Sequence, residues 1–244
     1  MVISAGEARS APPGAEERRC KRERLAWSKK HRPQTVIPAN RRKAVEQKKI
    51  ILFGGTFDPP HNGHMTLLAG AIAAVQPDLV IVEPAGTPPH KRAGETAAQH
   101  RVAMCECFRA LFNELIVDDT EIRREGKSYT IDTVRTMNER YPDAQLYFPM
   151  GSDMLLWFHN WVAYEELLRR LVIVAHVRAG EDAAPMHAFA DTLRAEGGRV
   201  IFTDAPVLPL SSTEVRGKIA RGEPVDALVP ESVAAYIAEH GLYG

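Results

Sequence analysis

His61 and His64 close a stretch that reads Gly54-Gly55-Thr56-Phe57-Asp58-Pro59-Pro60-His61-Asn62-Gly63-His64. Imidazoles donate hydrogen bonds to anions. Paired glycines let a backbone turn sharply and come close to a ligand. A helix start adds unpaired N–H groups and the positive end of a dipole, both of which attract phosphate. A second set lies far along the chain, Leu210-Ser211-Ser212-Thr213-Glu214-Val215-Arg216. Ser211 with Glu214 fits a capping box, but a cation placed as early as Arg216 is mildly unfavourable beside the dipole's positive end. A bound polyphosphate would compensate for it. Between the two sets stand Lys91, a mobile charge for phosphate; Asp153, able to accept hydrogen bonds from ribose hydroxyls; and Trp161, whose ring can stack on a flat heterocycle.

Each of these residues also has a plainer explanation. The first stretch can also be a tight strand-to-helix turn with two surface histidines. His-x-x-His can clasp zinc, but the further ligands that zinc needs are missing nearby. Lys91 can be a solvated loop lysine, Ser128 or Thr130 a cap for the helix that follows, Asp153 a helix N-cap and Trp161 a core residue. Neither G-x-G-x-x-G after a strand nor G-x-x-x-x-G-K-[ST] occurs.

The elements that must position these groups alternate. Short apolar runs at 50–53, 79–82, 115–117, 146–148, 171–174 and 199–202 read as buried strands. Helical patterns follow at 65–72, 97–112, from about 130, and at 184–196. In 97–112, Val102, Cys105, Phe108, Ala110 and Leu111 mark one broad face. Such alternation implies an α/β fold, a doubly wound, Rossmann-like, mostly parallel sheet with helices on both faces. The chemical residues then gather at the carboxyl edge of the strands, where ligands bind in such sheets.

The 244 residues carry no net charge, with 31 Lys/Arg against 31 Asp/Glu. The balance hides an asymmetry: residues 1–49 hold 14 Lys/Arg and 5 Asp/Glu, the remainder 17 and 26. The basic segment 1–49 is poor in aliphatic residues and is expected to be disordered, with 50–244 forming a single domain. Any nucleic-acid contact would come only from that tail. The three cysteines, Cys20, Cys105 and Cys107, form no C-x-x-C pair, which argues against a disulfide framework and points to reduced thiols in a cytoplasmic protein. No apolar run is long enough to span a membrane, and oligomeric state is not readable.

The first stretch resembles the signature of the nucleotidyltransferases with a G-G-T-F-D-P-x-H-x-G-H motif. Residues 50–244 as a whole are similar to the bacterial nicotinate-nucleotide adenylyltransferases among them. The resemblance implies that Gly54, Gly55, Thr56, Phe57, His61 and His64 meet ATP, together with Ser211, Ser212, Thr213 and Arg216 of an S-S-T-x-[IV]-R motif. His61, His64 and Arg216 would act in catalysis. Pro88-Pro89-His90-Lys91 matches a loop that covers the site, and places Lys91 near phosphate. Ser128-Tyr129-Thr130-Ile131-Asp132-Thr133 matches S-Y-T-x-D-T and gives Thr130 a role at a nicotinate carboxylate. Gly151-Ser152-Asp153 followed by Trp161 implies a ring stacked on Trp161, with the backbone N–H of Val162 at the carboxylate; relatives often have Tyr where Val162 stands.

The implied reaction joins nicotinate mononucleotide to the adenylyl group of ATP. Mg²⁺ would travel with ATP, without a dedicated metal site. The rivals are the same transfer to nicotinamide mononucleotide, to phosphopantetheine or to glycerol phosphate, and, from another class, a nucleotide-binding regulator without turnover.

Overall fold

The structure is a computed structural model that describes residues 47–86, 96–178 and 183–244. Six strands form one parallel sheet: β1 (Lys48–Gly55), β2 (Leu79–Pro84), β3 (Leu115–Val117), β4 (Ala144–Gly151), β5 (Leu171–Arg178) and β6 (Arg199–Val207). Their spatial order is β3-β2-β1-β4-β5-β6. The chain winds from β1 toward one edge and then, from β4, toward the other, so loops leaving β1 and β4 diverge and open a crevice. β1 begins at Lys48, two residues ahead of the expected Ile50, because Lys48 and Lys49 pair with Ala144 and Gln145 of β4. The expectations for residues 1–46, and for Lys91, lie outside the described residues.

Alternation along the strands builds two apolar layers. Ile50 and Leu52 of β1 face one way, into a cluster with Phe148, Ile173 and Val134. Ile51 and Phe53 face the other, onto Leu68, Ala71 and Phe108. Helices α1 (Asn62–Val75), α2 (Ala98–Cys105), α3 (Thr120–Arg123), α4 (Thr130–Arg140), α5 (Ser152–Leu156), α6 (Tyr164–Arg170), α7 (Ala184–Ala195), α8 (Ser212–Ala220) and α9 (Glu231–His240) complete the described fold. α1 packs in the second layer, and α4, α6 and α7 in the first. α8 and α9 meet Met104 of α2 in a third cluster through Val215, Val233 and Ile237. None of the described helices is long and apolar enough to cross a membrane.

Two expectations need correction. The helix foreseen over 97–112 is α-helical only to Cys105 and continues as a 3-10 turn, Glu106–Ala110. Its buried residues are Arg101, Met104, Cys105 and Phe108, whereas Val102 is only partly buried. Arg101 turns inward because its guanidinium reaches two loop carbonyls at the carboxyl edge of the sheet. Neither Ser128 nor Thr130 caps α4: Tyr129 is the N-cap and makes no side-chain cap bond. The Ser128 hydroxyl is taken by Arg124 instead, and Thr130 is already the first helical residue.

Candidate active site

The two histidines form a capping box. His61 is the N-cap of α1, its Nδ1 accepting the His64 N–H at 3.3 Å, while His64 Nδ1 accepts the His61 N–H at 3.2 Å. The rings lie stacked, centroids 3.7 Å apart. With both Nδ1 atoms acting as acceptors, the ring proton of each neutral imidazole sits on Nε2. Burial lowers the His61 pKa to about 4, so it stays neutral and a hydrogen-bond donor across the physiological range. The two rings are not equivalent. His61 is 4% exposed and chiefly holds the turn, whereas His64 is half-buried and more open to a ligand.

Gly55 is a glycine because Phe57 folds back beneath it: a Cβ there would sit 2.7 Å from the Phe57 ring. Phe57 itself takes a positive φ of 50°. Its ring is core, 1% exposed between Phe53, Phe108 and the His64 ring, so only its backbone can meet a nucleotide. Gly54, Gly55 and Thr56 are half-buried at the same edge.

The second set arrives beside the first. Ser212 Oγ donates to the Pro59 carbonyl at 2.9 Å, and Arg216 Nη1 donates to the Asp58 carbonyl at 2.6 Å. Arg216 Nη2 also reaches Thr213 Oγ1 at 3.4 Å. Ser211 caps α8 by accepting the Glu214 N–H at 3.1 Å. The cation near the helix start is thus partly compensated by a loop carbonyl. A Cβ on Gly63 would sit 2.9 Å from the Leu208 carbonyl, so the tip of α1 lies against the segment leading into α8. Two helix N-termini, two imidazoles, several hydroxyls and one guanidinium therefore meet in one place. That is a set of donors for phosphate oxygens.

Of the remaining predicted residues, Thr130, Asp153, Trp161 and Val162 lie in or beside elements of the first apolar layer. Tyr129 and Trp161 pack on the same core cluster as Phe148 of β4. Trp161 is half-buried, its ring edge-on to Phe148 at 5.8 Å and tilted on Phe158 at 5.3 Å; it is part of the core and still partly open. Thr130 opens α4, whose first turn has no side-chain cap. Asp153 is exposed in the first turn of α5, with Gly151 as N-cap. Val162 is 48% exposed and its N–H makes no hydrogen bond within the described residues. Ala163, next to it, holds a left-handed conformation with φ 56°.

Two buried charged residues near the site escaped the sequence reading. Arg101, 4% exposed, donates Nη1 to the carbonyls of Thr56 and Ala85, at 2.9 and 2.8 Å, and its Nε has no partner among the described residues. It ties the loop after β1 to the loop after β2, and nothing in its local sequence marks it. Glu83, at the end of β2 beside Gly54, accepts the Glu121 N–H at 2.7 Å while its Oε2 has no partner among the described residues. Burial is the main reason its pKa rises to about 8, with nearby Asp118 and Glu121 adding to it. Glu121 in turn accepts from Thr133 at 2.7 Å and from the Gly86 N–H at 3.3 Å. This network links β2 to α4. A shallow groove lined by Lys49, Tyr147, Arg194 and Arg199 lies at the opposite, amino edge of the strands, away from every group above.

A family described as cytidylyltransferase-like matches residues 52–218. A probable nicotinate-nucleotide adenylyltransferase of Neisseria meningitidis serogroup B is 40% identical over 202 residues, covering 80% of this chain and 98% of the relative. One from Bacillus pumilus is 36% identical over 197 residues, with the same shares. Among solved structures, a Plasmodium falciparum nicotinic acid mononucleotide adenylyltransferase complexed with NaAD has a TM-score of 0.66 at 20% identity. It covers 80% of this chain and 97% of its own, and the likeness is one of fold. The motif match, the shared length and the fold agree: the chain belongs to the cytidylyltransferase-like family, in the group that holds the bacterial nicotinate-nucleotide adenylyltransferases.

Proposed function

We propose that this protein transfers the adenylyl group of ATP to nicotinate mononucleotide, giving nicotinate adenine dinucleotide and pyrophosphate, a step of NAD biosynthesis. The observation that carries the reading is the union of the histidine-capped α1 tip with Ser212 and Arg216 of α8 at the crevice between β1 and β4. An oxygen of the mononucleotide phosphate attacks the α-phosphorus of ATP. A new P–O bond forms as the bond to the β-phosphate oxygen breaks, and pyrophosphate leaves. A phosphate monoester has a second pKa of about 6 and is largely a dianion at neutral pH, so the nucleophile needs no base. Catalysis then rests on alignment and on neutralising charge. The His64 Nε2–H, the N–H groups of the first loop, the hydroxyls of Ser212 and Thr213, and Arg216 perform it, with His61 holding the turn.

On the other side, Trp161 offers a ring face to the pyridine. The uncapped start of α4 with Thr130, and the unengaged N–H of Val162, suit a carboxylate. The left-handed Ala163 supports that reading, because strained backbone persists where a site requires it. Asp153 would take ribose hydroxyls, and Lys91 would approach phosphate. Mg²⁺ would enter with the triphosphate. The loop presents donors rather than the carboxylate oxygens a hard cation prefers, and among the described residues there is no cluster of three or more His, Cys, Asp or Glu able to hold a metal. A cytoplasmic location fits the use of ATP and the free thiols of Cys105 and Cys107.

The deciding experiment offers ATP with nicotinate mononucleotide, nicotinamide mononucleotide or phosphopantetheine and follows pyrophosphate. The acid should give the highest kcat/KM. Preference for either other acceptor reassigns the substrate, and absence of pyrophosphate with all three removes the enzymatic reading.

A further inference from the structure

Tyr243 lies beyond α9, far in sequence from the nucleotide loop, yet its hydroxyl donates to Asp58 Oδ1 at 2.7 Å. Thr96, just ahead of α2, hydrogen-bonds the same phenol. Tyr243 adopts φ 69°, a left-handed conformation at a bulky residue. Such a conformation persists only where the surroundings over-determine it. Its ring packs on the third cluster, with Val215 of α8 and Ile237 of α9.

The residue it holds is a junction. Asp58 is 4% exposed. Its carbonyl receives Arg216, and the next carbonyl, that of Pro59, receives Ser212. A buried carboxylate must be hydrogen-bonded or paired. Were the phenol removed, the carboxylate would turn for compensation to a nearby cation, and Arg216 already lies at the same residue's backbone. A guanidinium drawn onto Asp58 is withdrawn from a bound triphosphate.

We infer that Tyr243 is a positioning residue for nucleotide binding: by engaging the Asp58 carboxylate it keeps Arg216 available to the phosphates and fixes the Asp58–Pro59 step on which α8 rests. The inference builds on the adenylyl-transfer reading, but its test does not depend on the acceptor. Burial and the adjacent Asp58 carboxylate keep the phenol protonated, so the contact is present at every working pH.

Tyr243→Phe removes the hydroxyl alone. Tyr236→Phe is the control, since the Tyr236 hydroxyl bonds His100 Nδ1 at 3.0 Å within the same terminal segment. Affinity for a non-hydrolysable ATP analogue is measured by calorimetry, alongside kcat, both KM values and the melting temperature. Tyr243→Phe is expected to weaken the analogue about tenfold and to lower kcat roughly 10- to 100-fold, with the KM for the mononucleotide within about twofold. Tyr236→Phe should match the wild type in all of these except melting temperature. Asp58→Asn in the Tyr243→Phe background should recover most of the analogue affinity, because a neutral amide does not compete for Arg216. Wild-type affinity in Tyr243→Phe, an equal loss in Tyr236→Phe, or no recovery on adding Asp58→Asn would each overturn the inference. A wild-type enzyme that binds the analogue but makes no dinucleotide would sink the proposed reaction, and the affinity comparison would still decide the role of Tyr243.

Discussion

His61 and His64 each accept the other's backbone N–H through Nδ1, with their rings stacked at 3.7 Å. The two imidazoles proposed for catalysis are therefore also a helix cap. The consequence is a division of labour. The more open His64 is expected to dominate catalysis. Replacing it by Ala should lower kcat by about 10²–10³, the usual effect of removing one donor to developing charge. Loss of its half of the cap should also cost about 1 kcal/mol of stability. Steady-state kinetics with a melting curve separate the two effects. A near-normal kcat in a folded His64→Ala protein would take the residue out of the mechanism.

Glu83 predicts an unusual alkaline sensitivity. Its carboxyl titrates near 4.5 when unfolded and at about 8 when folded, so the unfolded chain loses that proton first. The stabilising difference is fully present below pH 4.5 and is lost as pH rises through 8. Glu83→Gln mimics the neutral acid and should flatten this decline. Unfolding by denaturant between pH 5 and 9 measures it. The variant should gain on the wild type as pH rises, by at most about 1.4 kcal/mol per unit, and parallel curves would refute a neutral Glu83.

His176 predicts the opposite slope. It is wholly buried at the end of β5, bonded to Thr203 Oγ1 at 2.7 Å. Burial lowers its pKa from 6.5 to about 4. His61 has the same shift. Both contribute stability that is present above pH 6.5 and drains away as pH falls toward 4. His176→Asn removes the titrating group and keeps a polar partner for Thr203. Its stability should fall less steeply than that of the wild type across that window, whatever loss the substitution causes at pH 7.

Much of this was legible in the chain. The β-branched runs at 79–82 and 171–174 read as buried strands and are strands, and the glycine and histidine spacing at 54–64 placed a turn between β1 and α1. What stayed hidden shares one physical feature: it depends on contacts across long sequence distances. Arg101 reads as a surface helix residue until its guanidinium is seen on the carbonyls of Thr56 and Ala85. Tyr243 reads as terminal core until it meets Asp58. The puzzle of Arg216 at a helix start had a partial answer, the distant Asp58 carbonyl, that only the fold could supply. Phe57, grouped with the nucleotide contacts by its motif, turned out to give its ring to the core.

Trp161 offers the sharpest separation of the two substrates. Its ring packs on Phe148 and Phe158, so truncation removes core contacts as well as any stacking surface. Trp161→Ala is expected to lower the melting temperature and to raise the KM for the mononucleotide at least about tenfold, on the scale of 1–3 kcal/mol for stacking a base on an aromatic side chain. The KM for ATP should stay within about twofold, because the ATP site proposed above is built from α1 and α8, whereas Trp161 packs with Phe148 and Phe158. Trp161→Phe retains a ring and most of the packing, and should fall between the two. If both KM values rose together, Trp161 would be a general support for the sheet, and the pyridine would have to lie elsewhere along the carboxyl edge of β4.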